Sequence, residues 1–233
     1  MEKGISFTEN EVFHSGITRL IRKDWATVTL ILLFHIVLIF IERMAAFVSI
    51  WLCILLLVQK QGRRVIGLRT PGHWVWWLIA PVLGLVTVGV TALILWALLG
   101  WTERNMFYDM AHAVGETFNL FGNHAAPWLR FTALIFAWIV SPFLEEPLFR
   151  GFAQTIYGQR FGVGFAVIFQ AMLFALVHPL NNVSWFVSIF VAGIGYGIIT
   201  KFSKSVWVAV LAHITYNFGI IWIAFTFMPE FVR

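Results

Sequence analysis

Seven long apolar runs separated by short polar segments constrain this chain more than any other feature. They are Trp25–Ile41, Met44–Val58, Trp74–Gly100, Phe131–Leu144, Val163–Val177, Val183–Ile199 and Val206–Phe227. Crossing the hydrocarbon core of a bilayer takes about 20 apolar residues of helix. The chain is 60% apolar and 12% charged, against roughly 45–50% and about 25% in an average soluble domain. A soluble domain of 233 residues could not hide so much apolar surface. The expected fold is therefore all-α: a polytopic transmembrane bundle of about seven to eight spans. Several runs fall short of a full span, so some polar flanks must enter the membrane.

The sixteen Lys and Arg residues set the expected orientation. Twelve of them fall in segments 1–24, 59–73, 145–162 and 200–205, which the positive-inside rule assigns to the cytoplasm. The expectation is a multi-pass protein of the cell membrane with a cytoplasmic N-terminus. The basic residues sit between apolar runs and form no polar face, so nucleic acid is excluded as a partner despite the net charge of +5. A single cysteine, Cys53, supports neither a disulfide framework nor a cysteine-rich zinc site.

Three divisions are expected. Residues 1–24 form an N-terminal interfacial segment. Thr8 and Glu11 fit a capping box there, and no signal-peptide cleavage is expected. Residues 25–127 hold additional spans, the first two joined at Glu42–Arg43 as a tight hairpin. They end in a long outer loop, 101–130, where Met106, Phe107, Met110, Ala111, Val114 and Phe118 make a helical stripe. That stripe predicts a second interfacial helix, with Asp109, His112 and Glu116 on a solvated face. Residues 128–227 then form the part that carries chemistry, within a single membrane domain.

Between residues 131 and 227 the only acidic residues are Glu145 and Glu146, and the only histidines are His178 and His213. An ionisable group in a span costs roughly 2.5–3.5 kcal/mol on insertion scales and marks function by default. Glu146 and Arg150 are four apart, so on a helix they share a face and pair. Glu145 points about 100° away and lacks that partner. His213 and Asn217 repeat the spacing of four, as do Phe174 and His178, and Pro179 ends the helix after His178. A carboxylate and a histidine can together activate a water. A second histidine and an amide can donate to an oxyanion. The set suits hydrolysis of an amide without a serine or cysteine nucleophile, and no His-Glu-x-x-His zinc motif is present.

Glu145-Glu146-Pro147-Leu148-Phe149-Arg150, Phe174-Ala175-Leu176-Val177-His178 and His213-Ile214-Thr215-Tyr216-Asn217 resemble the three motifs of the CAAX-protease and bacteriocin-processing (Abi) family of intramembrane glutamate endopeptidases. Gly193 and Gly197 look like the small-residue span of that family. The resemblance covers about residues 128–220. It implies that Glu145 activates water, that His178 holds that water with it, and that His213 and Asn217 form the oxyanion site. Glu146, Arg150 and Phe174 would support them, and no cofactor would be needed. The implied substrate is a peptide or membrane-associated protein entering from the membrane or the cytoplasmic side.

Two alternatives stand beside this expectation. One is a non-hydrolytic membrane scaffold or bacteriocin-immunity partner, and the other is a zinc-dependent protease using the same residues. The proteolytic reading requires Glu145, His178, His213 and Asn217 to meet in a polar intramembrane cavity. A flat map of seven spans keeps them apart. They meet if either the fourth helix continues to about Ile156 or the 178–182 loop dips inward, and both adjustments are expected. Pro147 further suggests that the helix bearing the glutamates starts near Ser141–Pro142.

Overall fold

The structure, a computed structural model, describes residues 67–99, 106–122, 124–178 and 183–227. The N-terminal interfacial segment, the first two apolar runs with their hairpin, Cys53 and the dip expected of the 178–182 loop lie outside those residues, apart from His178 itself. The described residues form helices and no strand. They are α1 (Val75–Leu99), α2 (Met106–Phe118), α3 (Pro127–Phe161), α4 (Val163–Leu176), α5 (Val183–Ser203) and α6 (Val206–Phe227). Four stretches are long and apolar enough to cross a membrane: Val75–Ile94, Pro127–Phe161, Val183–Ser203 and Val206–Phe227. The protein is a helical membrane protein.

Its polarity is arranged accordingly. Leu78, Val82, Leu85 and Leu93 on α1 are exposed, as are Ile168 on α4 and Phe218 and Trp222 on α6. Glu146, Arg150, Gln170, His213 and Asn217 are buried. Lipid attracts apolar side chains as well as a protein core does, so burial is left to the groups that must be paired.

Breaks between helices follow local chemistry. Gly162 takes φ +88°, open to glycine, and separates α3 from α4. Lys204 takes φ +54° between α5 and α6. That turn is pinned by the chain just before α1. Arg69 Nε donates to the Lys204 carbonyl at 2.8 Å, Ser205 Oγ to the Arg69 carbonyl at 2.6 Å, and Val206 N to the Gly67 carbonyl at 3.0 Å. Helix α2 buries Met110, Ala111, Val114 and Phe118, packing on α6 and α3. The stripe read as interfacial thus faces protein, while His112 and Glu116 lie outward in an exposed pair.

Helix α3 extends the sequence expectation. An α-helical segment does start at Pro142 with Ser141 as its cap, but it lies inside a longer stretch that stays helical from Pro127 to Phe161. Pro142 has no N–H for the Trp138 carbonyl, and Pro147 none for that of Phe143. The helix widens to π-turns over Phe136–Val140 and Pro147–Ala153, with Ser141 N reaching five residues back to the Phe136 carbonyl at 3.2 Å. This continuation past Ile156 is one of the two adjustments expected to carry Glu145 into the bundle. Residues 146–154 are buried without interruption.

Helices α1 and α6 cross with their backbones in contact. A Cβ on Gly84 would run into the Ala212 carbonyl and stand 3.0 Å from Thr215 Cβ, whereas one on Gly89 would meet nothing within 4 Å. Alanine in place of glycine gains up to about 1 kcal/mol in an open helix, while overpacking costs about 1–3 kcal/mol. Gly84→Ala should therefore lower the melting temperature in detergent, and Gly89→Ala should hold or raise it. The reverse order would place the crossing elsewhere.

Candidate active site

The site is built on one face of α3, where Glu146, Arg150 and Gln154 recur every four residues. The Arg150 guanidinium is wholly enclosed. Its Nη1 donates to Glu146 Oε1 at 3.1 Å and its Nη2 to the Gly193 carbonyl at 3.3 Å. It lies 4.1 Å from the Phe174 ring centroid and 5.1 Å from that of Tyr196. Arginine is suited to this position because its flat cation can be bonded at the edge and stacked on the face.

Glu146 makes a second contact, 67 residues away in sequence. Its Oε1 lies 2.8 Å from His213 Nδ1. A carboxylate already accepting from arginine can only accept, so Nδ1 carries a proton and Glu146 orients the ring. The same logic applies to His178, whose Nδ1 lies 2.7 Å from the Phe174 carbonyl. That carbonyl is an acceptor, so His178 also donates from Nδ1 and leaves Nε2 as its acceptor. The Phe174 ring meets both imidazoles edge-on, with centroids 4.7 Å from His178 and 5.8 Å from His213.

Glu145 occupies a different environment. Its Oε2 lies 4.0 Å from His213 Nδ1, its side chain is 25% exposed, and Oε2 has no hydrogen-bond partner in the protein. Glu145, His213 and Arg150 all lie within electrostatic reach of His178. Six of the seven residues singled out from sequence thus form one network: Glu145, Glu146, Arg150, Phe174, His178 and His213.

Asn217 is the seventh, and its placement was not foreseen. One turn beyond His213, its Nδ2 donates to the Trp138 carbonyl at 2.6 Å. That is the carbonyl left over by Pro142. The side chain of α6 takes the place of the missing backbone donor in α3, and one amide hydrogen remains.

Sequence reasoning missed Tyr196. Its ring stacks on His213, with centroids 4.6 Å apart and an interplanar angle of 22°. A phenol three residues after Gly193 in an otherwise apolar run was the available signal. Gln154 and Gln170 were missed as well, although both are amides in a membrane-embedded region. Among the described residues, no three of His, Cys, Asp and Glu are disposed to hold a metal ion.

Fold and cluster together define a helical membrane protein with ionisable groups gathered between its spans. Residues 127–219 match the family described as Rce1-like, type II CAAX prenyl endopeptidase Rce1-like. That stretch, less than half of the chain, is similar to the CAAX-protease family, and the family implies protease activity. No curated protein and no solved structure matches the chain.

Two glutamates side by side should behave differently. Removing Arg150 leaves Glu146 buried without its cation, which costs about 3–5 kcal/mol in buried pairs. Arg150→Ala should lower both melting temperature and folded yield. Glu145→Ala should leave them nearly unchanged, because its carboxylate has a partly open environment and no fixed partner. Thermal melting in detergent compares the two; greater destabilisation by Glu145→Ala would interchange their roles.

Proposed function

We propose that the chain is an intramembrane endopeptidase that hydrolyses a peptide bond with a directly activated water. The observation that carries this reading is the division of hydrogen-bonding character in the cluster. Glu145 offers an unpartnered carboxylate oxygen, and His178 offers an Nε2 lone pair because its Nδ1 is committed to the Phe174 carbonyl. A water between two acceptors gives each of them a hydrogen and turns a lone pair outward. Glu145 then takes a proton as the water oxygen bonds to the substrate carbonyl carbon. The carbonyl π electrons move to its oxygen. When the C–N bond breaks, the proton passes to the leaving nitrogen.

The developing oxyanion needs donors. Asn217 keeps one amide hydrogen after serving Trp138. His213 donates from Nε2 in its imidazolium form, whose charge Glu146 and Glu145 would balance. Tyr196 keeps that ring in register by stacking. Glu146 and Arg150 act through His213 and the α3 backbone and leave the chemistry to Glu145. The substrate in this reading is a peptide or the tail of a membrane-associated protein.

The test uses purified full-length protein in detergent, a lipidated C-terminal peptide and its unmodified counterpart, with products read by mass spectrometry. Cleavage is expected, unchanged by chelator and nearly abolished in Glu145→Gln. Loss on chelation would favour a zinc protease, and intact Glu145→Gln activity would remove the glutamate from the reaction. Asn217→Ala should cost about 100- to 1000-fold in kcat if it behaves as an oxyanion donor. Tyr196→Phe should keep most of the turnover that Tyr196→Leu loses.

A further inference from the structure

Two buried glutamines stand outside the chemistry just described, and their hydrogen bonding is half complete. Gln154 Nε2 donates to the Gly197 carbonyl at 3.0 Å. Gln170 Nε2 donates to the carbonyls of Gly193 and Val167, both at 2.9 Å. Their amide nitrogens bind helix to helix. Their oxygens, Gln154 Oε1 and Gln170 Oε1, are buried with no protein partner, and so is Thr200 Oγ1 one turn further along α5. Leaving such a group unbonded forfeits the hydration it had in water and destabilises the fold. Leucine or methionine would fill either glutamine position without that cost.

The three groups follow the spacing of one face of α5, with Gln170 at the Gly193 carbonyl, Gln154 at that of Gly197 and Thr200 three residues on. Arg150 Nη2 and Gln170 Nε2 share the Gly193 carbonyl, so the series begins at the proposed catalytic cluster. A Cβ on Gly197 would stand 2.7 Å from Gln170 Nε2 and 3.0 Å from Gln154 Oε1. Both amides therefore converge on the space that the missing side chain leaves. Thr200 follows on α5, next to Lys201 and close to Lys204 in the turn to α6. From Gly193 to Thr200 the helix rises about 10 Å, at 1.5 Å per residue. Buried polar atoms without protein partners are met by internal water, each water bonding about two to four groups.

We propose that Gln154, Gln170 and Thr200 line a hydrated seam between α3, α4 and α5 that carries water from the basic end of the bundle to Glu145. The purpose assigned to the seam rests on the proteolytic reading, since hydrolysis consumes one water per bond in a region bounded by lipid. Its existence does not depend on that reading. The ligand is water itself, held by amide and hydroxyl oxygens.

The test compares neighbouring positions at similar depth in the full chain, with Cys53→Ser removing the native thiol. Gln170→Cys faces the seam, whereas position 172 on the same helix is exposed to the surroundings and Met172→Cys serves as control. A small water-soluble methanethiosulfonate should modify Gln170→Cys several-fold faster than Met172→Cys. Thr200→Cys against Ile198→Cys, also exposed, gives a second pair should Gln170→Cys fail to fold. Equal, slow modification in a folded pair overturns the seam. Gly197→Ala supplies the functional arm. Its methyl pushes the flexible ends of both glutamines into the seam, so kcat should fall several-fold with KM unchanged. Unchanged kcat with fast labelling would overturn the supply role. A dry seam in a protein that still cleaves peptide sinks this proposal alone. A hydrated seam in a protein that cleaves no peptide sinks the proteolytic reading alone.

Discussion

A cation enclosed in a bundle whose outer surface is hydrocarbon must be matched on every side. Arg150 meets that demand at Nη1, at Nη2 and on its ring-stacked faces, though not at Nε, which is buried without a hydrogen-bond partner, and most of the site follows from how. The edge of its guanidinium takes Glu146 and the Gly193 carbonyl. Its faces require aromatic rings, which Phe174 and Tyr196 provide. Glu146, held by Arg150, orients His213, and Tyr196 stacks on the same imidazole. Phe174 touches both histidines and binds His178 through its carbonyl. The groups that neutralise one buried charge are thus also the groups that orient two imidazoles. Glu145, excluded from this arrangement, keeps a free oxygen.

The close approach of backbones makes the matching possible. Gly193 would place a Cβ 3.0 Å from that of Ala171, so α4 and α5 pack at a separation only small residues permit. Larger residues there would lift the Gly193 carbonyl away from both Arg150 and Gln170. Glycine at this position therefore serves the charge as much as the packing.

Much of the helical layout was legible in the sequence because hydrophobic length is a local property. The run Val206–Phe227 became α6 residue for residue, and Val163–Val177 became α4 with one residue fewer. The pairing of Glu146 with Arg150 was legible for the same reason, being a spacing of four on one helix. Three features were not. Pro142 and Pro147 read as a helix start, which an α-helical segment from Pro142 bears out, but its continuity with the helix from Pro127 was hidden. The continuity of α3 depends on a side chain 79 residues away, in the Asn217–Trp138 contact. His213 read as an oxyanion donor, with a zinc ligand as the alternative, and nothing near it in sequence announced Glu146 as its partner. The stripe on α2 revealed amphipathicity but not whether lipid or protein would cover it.

The placement of the Glu146–Arg150 pair within a single helix has a consequence for how the protein is made. A chain inserted from its N-terminus commits α3 to the bilayer before α5 and α6 have been synthesised. At that moment Gly193, Tyr196 and His213 do not yet exist to receive the charge. The carboxylate four residues away is already present, so the segment can enter lipid as a self-neutralised unit and trade its provisional solvation for the later helices as they arrive. Had the counter-ion been placed on α6, α3 would have had to wait for it as an exposed cation. The i, i+4 spacing is thus a feature of assembly as well as of the finished site.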